Sequence, residues 1–167
     1  KNPLIDKYGS KLGKLISICR TIISNKDNRI IIFSQWESML TLVGKSLADN
    51  GVNNAFVKGN VWCRNKSISK FKKGDETKVI MLSLNNAASG TNLMEATHII
   101  FIEPIDENYN TIKAIEGQAI GRACRLGQKK KVKVLRILTR GTIEEEIFKN
   151  YDKNYIKPNM IEVEVDV

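Results

Sequence analysis

Hydrophobic positions along the chain alternate between two periods, and the alternation predicts an α/β domain. From Leu12 the apolar residues Leu15, Ile16, Cys19, Ile22 and Ile23 recur at three and four, the stripe of an amphipathic helix that ends near Asn25. Arg29 to Phe33 is a short, β-branched, continuously apolar run, which suits a strand covered on both faces. Trp36, Met39, Leu40, Val43 and Leu47 restore the helical period until Asn50-Gly51 stops it, and a second strand is predicted around Ala55 to Val57. Ile68 and Phe71 mark a short helix closed by Gly74, while Val79 to Leu82 and Ile99 to Ile102 predict a third and a fourth buried strand. A long helix is predicted from about Thr111 to Leu126, then a strand over Val132 to Leu138. Thr142-Ile143-Glu144-Glu145 has the spacing of a capping box, and Glu144 to Glu146 place negative charge at the positive end of a final helix.

Strands alternating with helices of this length imply β-α-β crossovers, hence a three-layer α/β/α domain with a mostly parallel sheet. The chain has 167 residues and is 42% hydrophobic, enough for one continuous core. Residues 1–153 are expected to form the domain. Residues 154–167 form a C-terminal extension, in which Pro158 and the alternating Val163 and Val165 fit either an edge strand or a disordered end. The chain opens in helical register without an initiator methionine, and so reads as an excised piece of a longer protein.

Charge narrows the partner. Lys plus Arg number 27 against 18 Asp plus Glu, a net charge of +9, which favours a polyanion and nucleic acid first. Cys19, Cys63 and Cys124 are far apart and form no C-x-x-C pair, and His98 is the lone histidine. No disulfide framework and no metal site are therefore expected, and the compartment is expected to be intracellular and reducing. No signal pattern and no apolar run of the roughly 20 residues a span requires are present, so no membrane association is expected.

The most informative stretch is Gln118-Ala-Ile-Gly-Arg122-Ala-Cys-Arg125-Leu-Gly-Gln128, which places Gln118, Arg122 and Arg125 at i, i+4 and i+7 of the predicted long helix. Guanidinium groups on one helix face suit a developing phosphoryl charge, because arginine stays ionised and its planar fork engages two oxygens. An arbitrary arginine pair of this kind is more often a solvated basic face. Ala87-Ala88-Ser89-Gly90, after the third strand, lets backbone N–H groups approach a phosphate, or is an ordinary turn. Ser34 and Gln35 follow the carboxyl end of the first strand, where open parallel sheets present ligand loops. Lys58-Gly59-Asn60 either contacts phosphates or is a plain turn. Lys129-Lys130-Lys131 reads as a solvated loop, Trp62 as a core residue beside a helix start, and His98 as structural.

The segment 118–128 closely resembles motif VI of the Swi/Snf branch of superfamily-2 helicases, its Arg-x-Gly-Gln ending above all. Ile31-Ile-Phe-Ser-Gln-Trp36 resembles motif IV, Leu82-Ser-Leu-Asn-Asn-Ala-Ala-Ser-Gly-Thr-Asn-Leu93 resembles motif V, and Gly141-Thr-Ile-Glu-Glu-Glu-Ile147 resembles the family's closing helix; together they span roughly residues 9–151. The resemblance implies a RecA-like C-terminal helicase lobe. Arg122 and Arg125 would then reach across a cleft to ATP as arginine fingers, with Gln118, Gly90 and Asn92 sensing nucleotide. Ser34, Gln35, Lys58, Gly59 and Ser89 would contact DNA. ATP and Mg2+ would be held mainly by an N-terminal RecA-like lobe, the partners would be that lobe and double-stranded DNA, and the isolated domain would be monomeric. The location would be the nucleus, or a viral factory or virion.

Neither a G-x-x-x-x-G-K-S/T loop nor an Asp-Glu metal box occurs in these residues, so the domain alone is expected to be inactive as an ATPase. The sequence departs from the family in three places. Asn85-Asn86-Ala87-Ala88 replaces Lys-Ala-Gly-Gly, Glu103-Pro104 leads into Ile105-Asp106-Glu107 rather than Trp-Trp-Asn-Pro, and Gly59 to Phe71 is short. With its wealth of Asn, Lys and Ile, the chain reads as a divergent and possibly viral member. Two alternatives stay open: an RNA or single-strand helicase lobe of the same superfamily, and a catalytically degenerate DNA-binding scaffold.

Overall fold

Strand β1, Ile30–Ser34, is buried along its whole length, as its unbroken apolar sequence predicts. It pairs in parallel with β3, Val79–Ser83, on one side and β4, His98–Phe101, on the other. With β2, Asn54–Phe56, β5, Val132–Leu138, and β6, Met160–Asp166, these make a six-stranded sheet of order β2-β3-β1-β4-β5-β6 in which every neighbouring pair is parallel. The computed structural model describes residues 2–85, 90–151 and 160–167.

The two-residue period of the strands sorts the core into two layers. Ile31 and Phe33 face Phe71 of α4, Val61–Lys73, and Ile112, Ala119 and Ile120 of α5, Tyr109–Ile120. Ile30 and Ile32 face Leu15, Ile16 and Cys19 of α2, Ser10–Ile23, and Leu40, Val43 and Leu47 of α3, Glu37–Asp49. Each large side chain so covered contributes about 1.5–3 kcal/mol. The arrangement is the three-layer α/β/α architecture expected from the alternation of periods, and it has the RecA-like form that the motif resemblance implied. Helix α1, Pro3–Tyr8, capped by Asn2, precedes the first predicted helix, and α6, Ile143–Phe148, closes the helical set.

Several local expectations change in the structure. Helix α4 runs for 13 residues from its Asn60 N-cap, longer than the short helix expected around Ile68 and Phe71, and Trp62 is 68% exposed rather than core. The helical wheel gives the reason: Arg64, Ser67, Ile68 and Phe71 occupy the inward face, and position 62 lies opposite them. At its far end Arg29 Nη1 donates to the carbonyls of Phe71, 3.2 Å, and Lys72, 2.9 Å. Gly74, at φ 67°, leaves room for that guanidinium, since a Cβ there would lie 2.1 Å from Arg29. Thr142 does cap α6, but through Glu144 N at 3.3 Å; Glu144 itself reaches back to accept from Thr139 N, 2.8 Å, and pairs with Lys11. Residues 160–166 form the edge strand, one of the two readings of the C-terminal extension, while the 153/154 boundary lies outside the described residues.

His98, at the start of β4, is buried with Nδ1 2.8 Å from Thr97 Oγ1. Burial first, and the charge of Lys133 second, hold its imidazole down to about 4. Lys14 and Lys133 line the same pocket, so no counter-charge relieves it there. The unfolded chain binds a proton near pH 6.5 that the folded chain refuses, so stability is full above about pH 6.5 and falls as pH drops toward about 4. Urea unfolding at a series of pH values is therefore expected to show wild type losing more stability than His98→Gln between those limits.

Candidate functional site

Helix α5 ends at Ile120, six residues short of the predicted limit. From Gly121 the backbone tightens: Arg122 N bonds Ala119 O at 3.2 Å and Ala123 N bonds Ile120 O at 3.1 Å, both i to i−3. Gln118, Arg122 and Arg125 therefore do not lie along one regular helix. Gln118 is exposed on the last turn of α5, Arg122 is 4% exposed within the following turn, and Arg125 is exposed just beyond it.

This turn is joined to the segment that follows β3. Leu93 N donates to Arg122 O at 2.9 Å, Arg122 Nη1 donates to Thr91 O at 3.3 Å, and Arg125 Nη1 donates to Gly90 O at 3.5 Å. Gly90 has φ 68°, a conformation that turns the backbone out toward the arginines at low cost. Asn92 Oδ1 accepts from Met94 N at 3.0 Å and so holds the same turn. Motifs V and VI thus converge, bringing Gly90, Asn92, Arg122 and Arg125 together. Asn85 lies two residues beyond β3, its N donating to Ser83 Oγ at 3.3 Å, whereas Ser89 and the Asn86-Ala87-Ala88 segment lie outside the described residues.

Gln128, the last residue of the motif VI match, is buried and works as a strut. Its Nε2 donates to Met94 O, 2.8 Å, and Ala123 O, 2.9 Å, while its Oε1 accepts from Lys130 N, 3.1 Å. Gln128→Ala strands carbonyls of both segments and is expected to cost about 1–3 kcal/mol in denaturant unfolding.

The electrostatics single out a residue that the sequence pattern did not mark. Burial lowers the Arg122 guanidinium from its ordinary range, and the charges of Arg125 and then Arg64, from the first turns of α4, lower it further. Among the described residues no acid makes an ion pair with any of these three arginines. The signal for Arg64 was tertiary: it stands 58 residues before Arg122 and meets it only because α4 and α5 cover the same face of the sheet.

The remaining predicted contacts lie elsewhere. Ser34 is buried, and its Oγ donates to Glu103 Oε1 at 2.7 Å; Gln35 N donates to the same oxygen at 2.8 Å, and Gln35 Nε2 to Pro104 O at 3.3 Å. Burial pushes the Glu103 carboxyl up, against the pull of those bonds. The Ser34 hydroxyl is thus committed to joining β1 to the end of β4, and a ligand at this edge meets Gln35 and exposed Trp36 first. Lys58 and Gly59 are exposed before α4, with Lys58 Nζ 5.0 Å from the Phe56 ring centroid.

Comparison with known proteins fits this geometry. Residues 11–127 match the helicase conserved C-terminal domain. The chain is 35% identical over 147 residues to DNA (cytosine-5-)-methyltransferase DMT5 of Cryptococcus neoformans var. grubii, covering 85% of this chain and 6% of that protein. It is 32% identical over 143 residues to the E3 ubiquitin-protein ligase SHPRH of Homo sapiens, covering 83% and 8%. The crystal structure of the C-terminal part of the Fun30 ATPase domain superposes with a TM-score of 0.73 at 27% identity, over 84% of this chain and 44% of that one. The chain therefore spans a small fraction of the curated relatives it matches. The fold, the convergence of motifs V and VI and these matches establish that the chain belongs to the helicase conserved C-terminal domain family, in its Swi/Snf branch.

Proposed function

We propose that this chain is the second RecA-like lobe of a DNA-stimulated ATP hydrolase that translocates on double-stranded DNA, with Arg122 and Arg125 as its arginine fingers. The observation that carries the reading is the pair Arg122 and Arg125 at the Thr91 and Gly90 carbonyls, joined by the charge of Arg64 and without an ion-paired acid among the described residues. The long bonds of Arg122 and Arg125 to neutral carbonyls are readily exchanged for shorter, charge-assisted bonds to phosphoryl oxygens. The cluster suits the phosphoryl end of ATP, while Mg2+ and the rest of the nucleotide fall to an N-terminal lobe.

In this reading lobe closure brings the arginines to the γ-phosphoryl group, where their fixed charge stabilises the transition state without rearranging water. Gln118, one turn earlier on α5, faces the same cleft and reports nucleotide occupancy. Reopening after hydrolysis shifts the grip on the DNA backbone at Gln35, Lys58, Gly59 and Ser89. The domain alone turns over no ATP. A DNA-containing compartment, the nucleus in a eukaryotic cell, follows from the substrate.

The test is ATP turnover by the two-lobe parent with blunt duplex, single-stranded DNA and RNA supplied separately. Stimulation by duplex above both others supports translocation on double strands. Stimulation confined to single strands or RNA replaces this reading with a strand-separating or RNA helicase, and no turnover under any condition leaves a binding scaffold.

A further inference from the structure

Helix α4 carries more positive charge than the arginine cluster uses. Its 13 residues include Arg64, Lys66, Lys70, Lys72 and Lys73 and no acid. Arg64 is part-buried and its charge acts on Arg122, and Lys72 pairs with Glu95 at 3.7 Å. The other lysines follow the opposite face with Trp62: Trp62, Lys66, Lys70 and Lys73 stand at i, i+4, i+8 and i+11, all exposed, directly away from buried Phe71 and part-buried Ile68. Lys66 Nζ sits 5.0 Å from the centroid of the Trp62 ring, and Val61 beside it is 72% exposed. Asp75 and Glu76 lie past the carboxyl end of α4, where they share a pocket with Lys70 and Lys73.

We propose that this outward face of α4 is a second nucleic-acid-binding strip, in which Lys66, Lys70 and Lys73 follow a phosphodiester backbone and Trp62 packs on the sugar or base at one end. A helix rises about 1.5 Å per residue, so Lys66 to Lys73 spans about 10 Å, the axial length of about three phosphates on one strand at 3.4 Å each. Lysine binds phosphate as a point charge and demands no fixed register, which suits a backbone sliding past. An exposed indole contacts nucleic acid through its π-face and leaves sequence unread. An acidic protein would satisfy the lysines equally but gives no use to an indole held at the end of the row. The strip rests on the nucleic-acid partner of the proposed function but is separate from the ATP-facing cluster.

The test uses the full chain in a Trp36→Phe background, so that Trp62 is the only tryptophan. Binding of a labelled blunt DNA duplex is followed against salt, alongside tryptophan emission. The triple variant Lys66→Gln, Lys70→Gln, Lys73→Gln is expected to lower the slope of log affinity against log salt by about 2–3, since each lost phosphate contact removes about 0.9. The charge-keeping variant Lys66→Arg, Lys70→Arg, Lys73→Arg should keep the wild-type slope, and duplex should quench Trp62 emission in wild type. An unchanged slope in the glutamine variant with flat Trp62 emission overturns the strip. So does a wild-type chain that binds no duplex, or one in which polyglutamate gives the same slope loss and the same quenching. Strip-dependent duplex binding by this chain, with no duplex stimulation of turnover in the two-lobe parent, would instead remove the proposed function and leave the strip standing.

Discussion

Arg125→Ala in the two-lobe parent is expected to leave ATP and duplex binding nearly unchanged while lowering kcat by about 10³-fold or more, the scale of an arginine finger. Arg125 is the cleaner of the two positions. It is exposed and makes a single 3.5 Å bond to Gly90 O, so its loss strands nothing in the fold. Arg122→Ala should cost at least as much turnover, but it also removes a side chain that is 4% exposed and bonded to Thr91 O. Arg122→Lys separates the two effects: it keeps a charge but loses the planar fork, so turnover should recover in part. Single-turnover hydrolysis measured beside nucleotide binding decides the matter. Wild-type turnover in both alanine variants would sink the finger assignment and favour a scaffold.

A second large effect is expected far from any ligand. Arg136 on β5 is buried between Glu116 of α5 and Glu162 of β6, with its Nε 3.5 Å from Glu116 Oε2. Its guanidinium carbon lies 5.6 Å from the Phe101 ring centroid and 5.4 Å from that of Tyr151, whose hydroxyl accepts from Ile105 N at 2.6 Å. Arg136→Met leaves two carboxylates facing one another without a cation, and breaking a buried pair in this way costs about 3–5 kcal/mol. Denaturant unfolding of the full chain should show that loss, and the deficit should shrink as pH falls and the stranded carboxylates take up protons. Replacing Glu116, Arg136 and Glu162 together by apolar residues should recover most of it, because no charge is then left buried. A loss below about 1 kcal/mol for Arg136→Met would show that water reaches the network.

The same network explains why β6 joins the sheet. Val163 and Val165 alone left an edge strand and a disordered end as equal readings of the sequence. Glu162 then meets Arg136 on one face of the strand while Val165 and Val167 reach the α2 layer on the other. The decision depends on a partner 26 residues earlier in the chain, which no local pattern shows.

The candidate site divides in the same way. The identity of motif VI was legible because residue types at short spacing carry it, from Gln118 through Arg125 to Gln128. Its shape was not. A period of three and four continues smoothly through Gly121, so the pattern extends the helix to Leu126. In the structure Leu93 N and the Gln128 side chain take up the Arg122 and Ala123 carbonyls, and the helix stops. Trp62 was misplaced for a related reason: an aromatic beside a helix start is usually covered, but the face that α4 buries is fixed by Ile68 and Phe71.

What the sequence determined by itself is local: periodicity set the buried strands, the existence of the main helices between them and the parallel three-layer class, and residue types at short spacing carried the resemblance to the helicase lobe. Period-two and period-3.6 burial act within a few residues, so one chain suffices to read them. Tertiary structure alone decided where charges meet. The company Arg64 keeps with Arg122, the Glu116–Arg136–Glu162 bridge and the capture of the Ser34 hydroxyl by Glu103 all join residues far apart in sequence. Electrostatic and hydrogen-bond energies depend on distance in space, and only the folded sheet sets those distances.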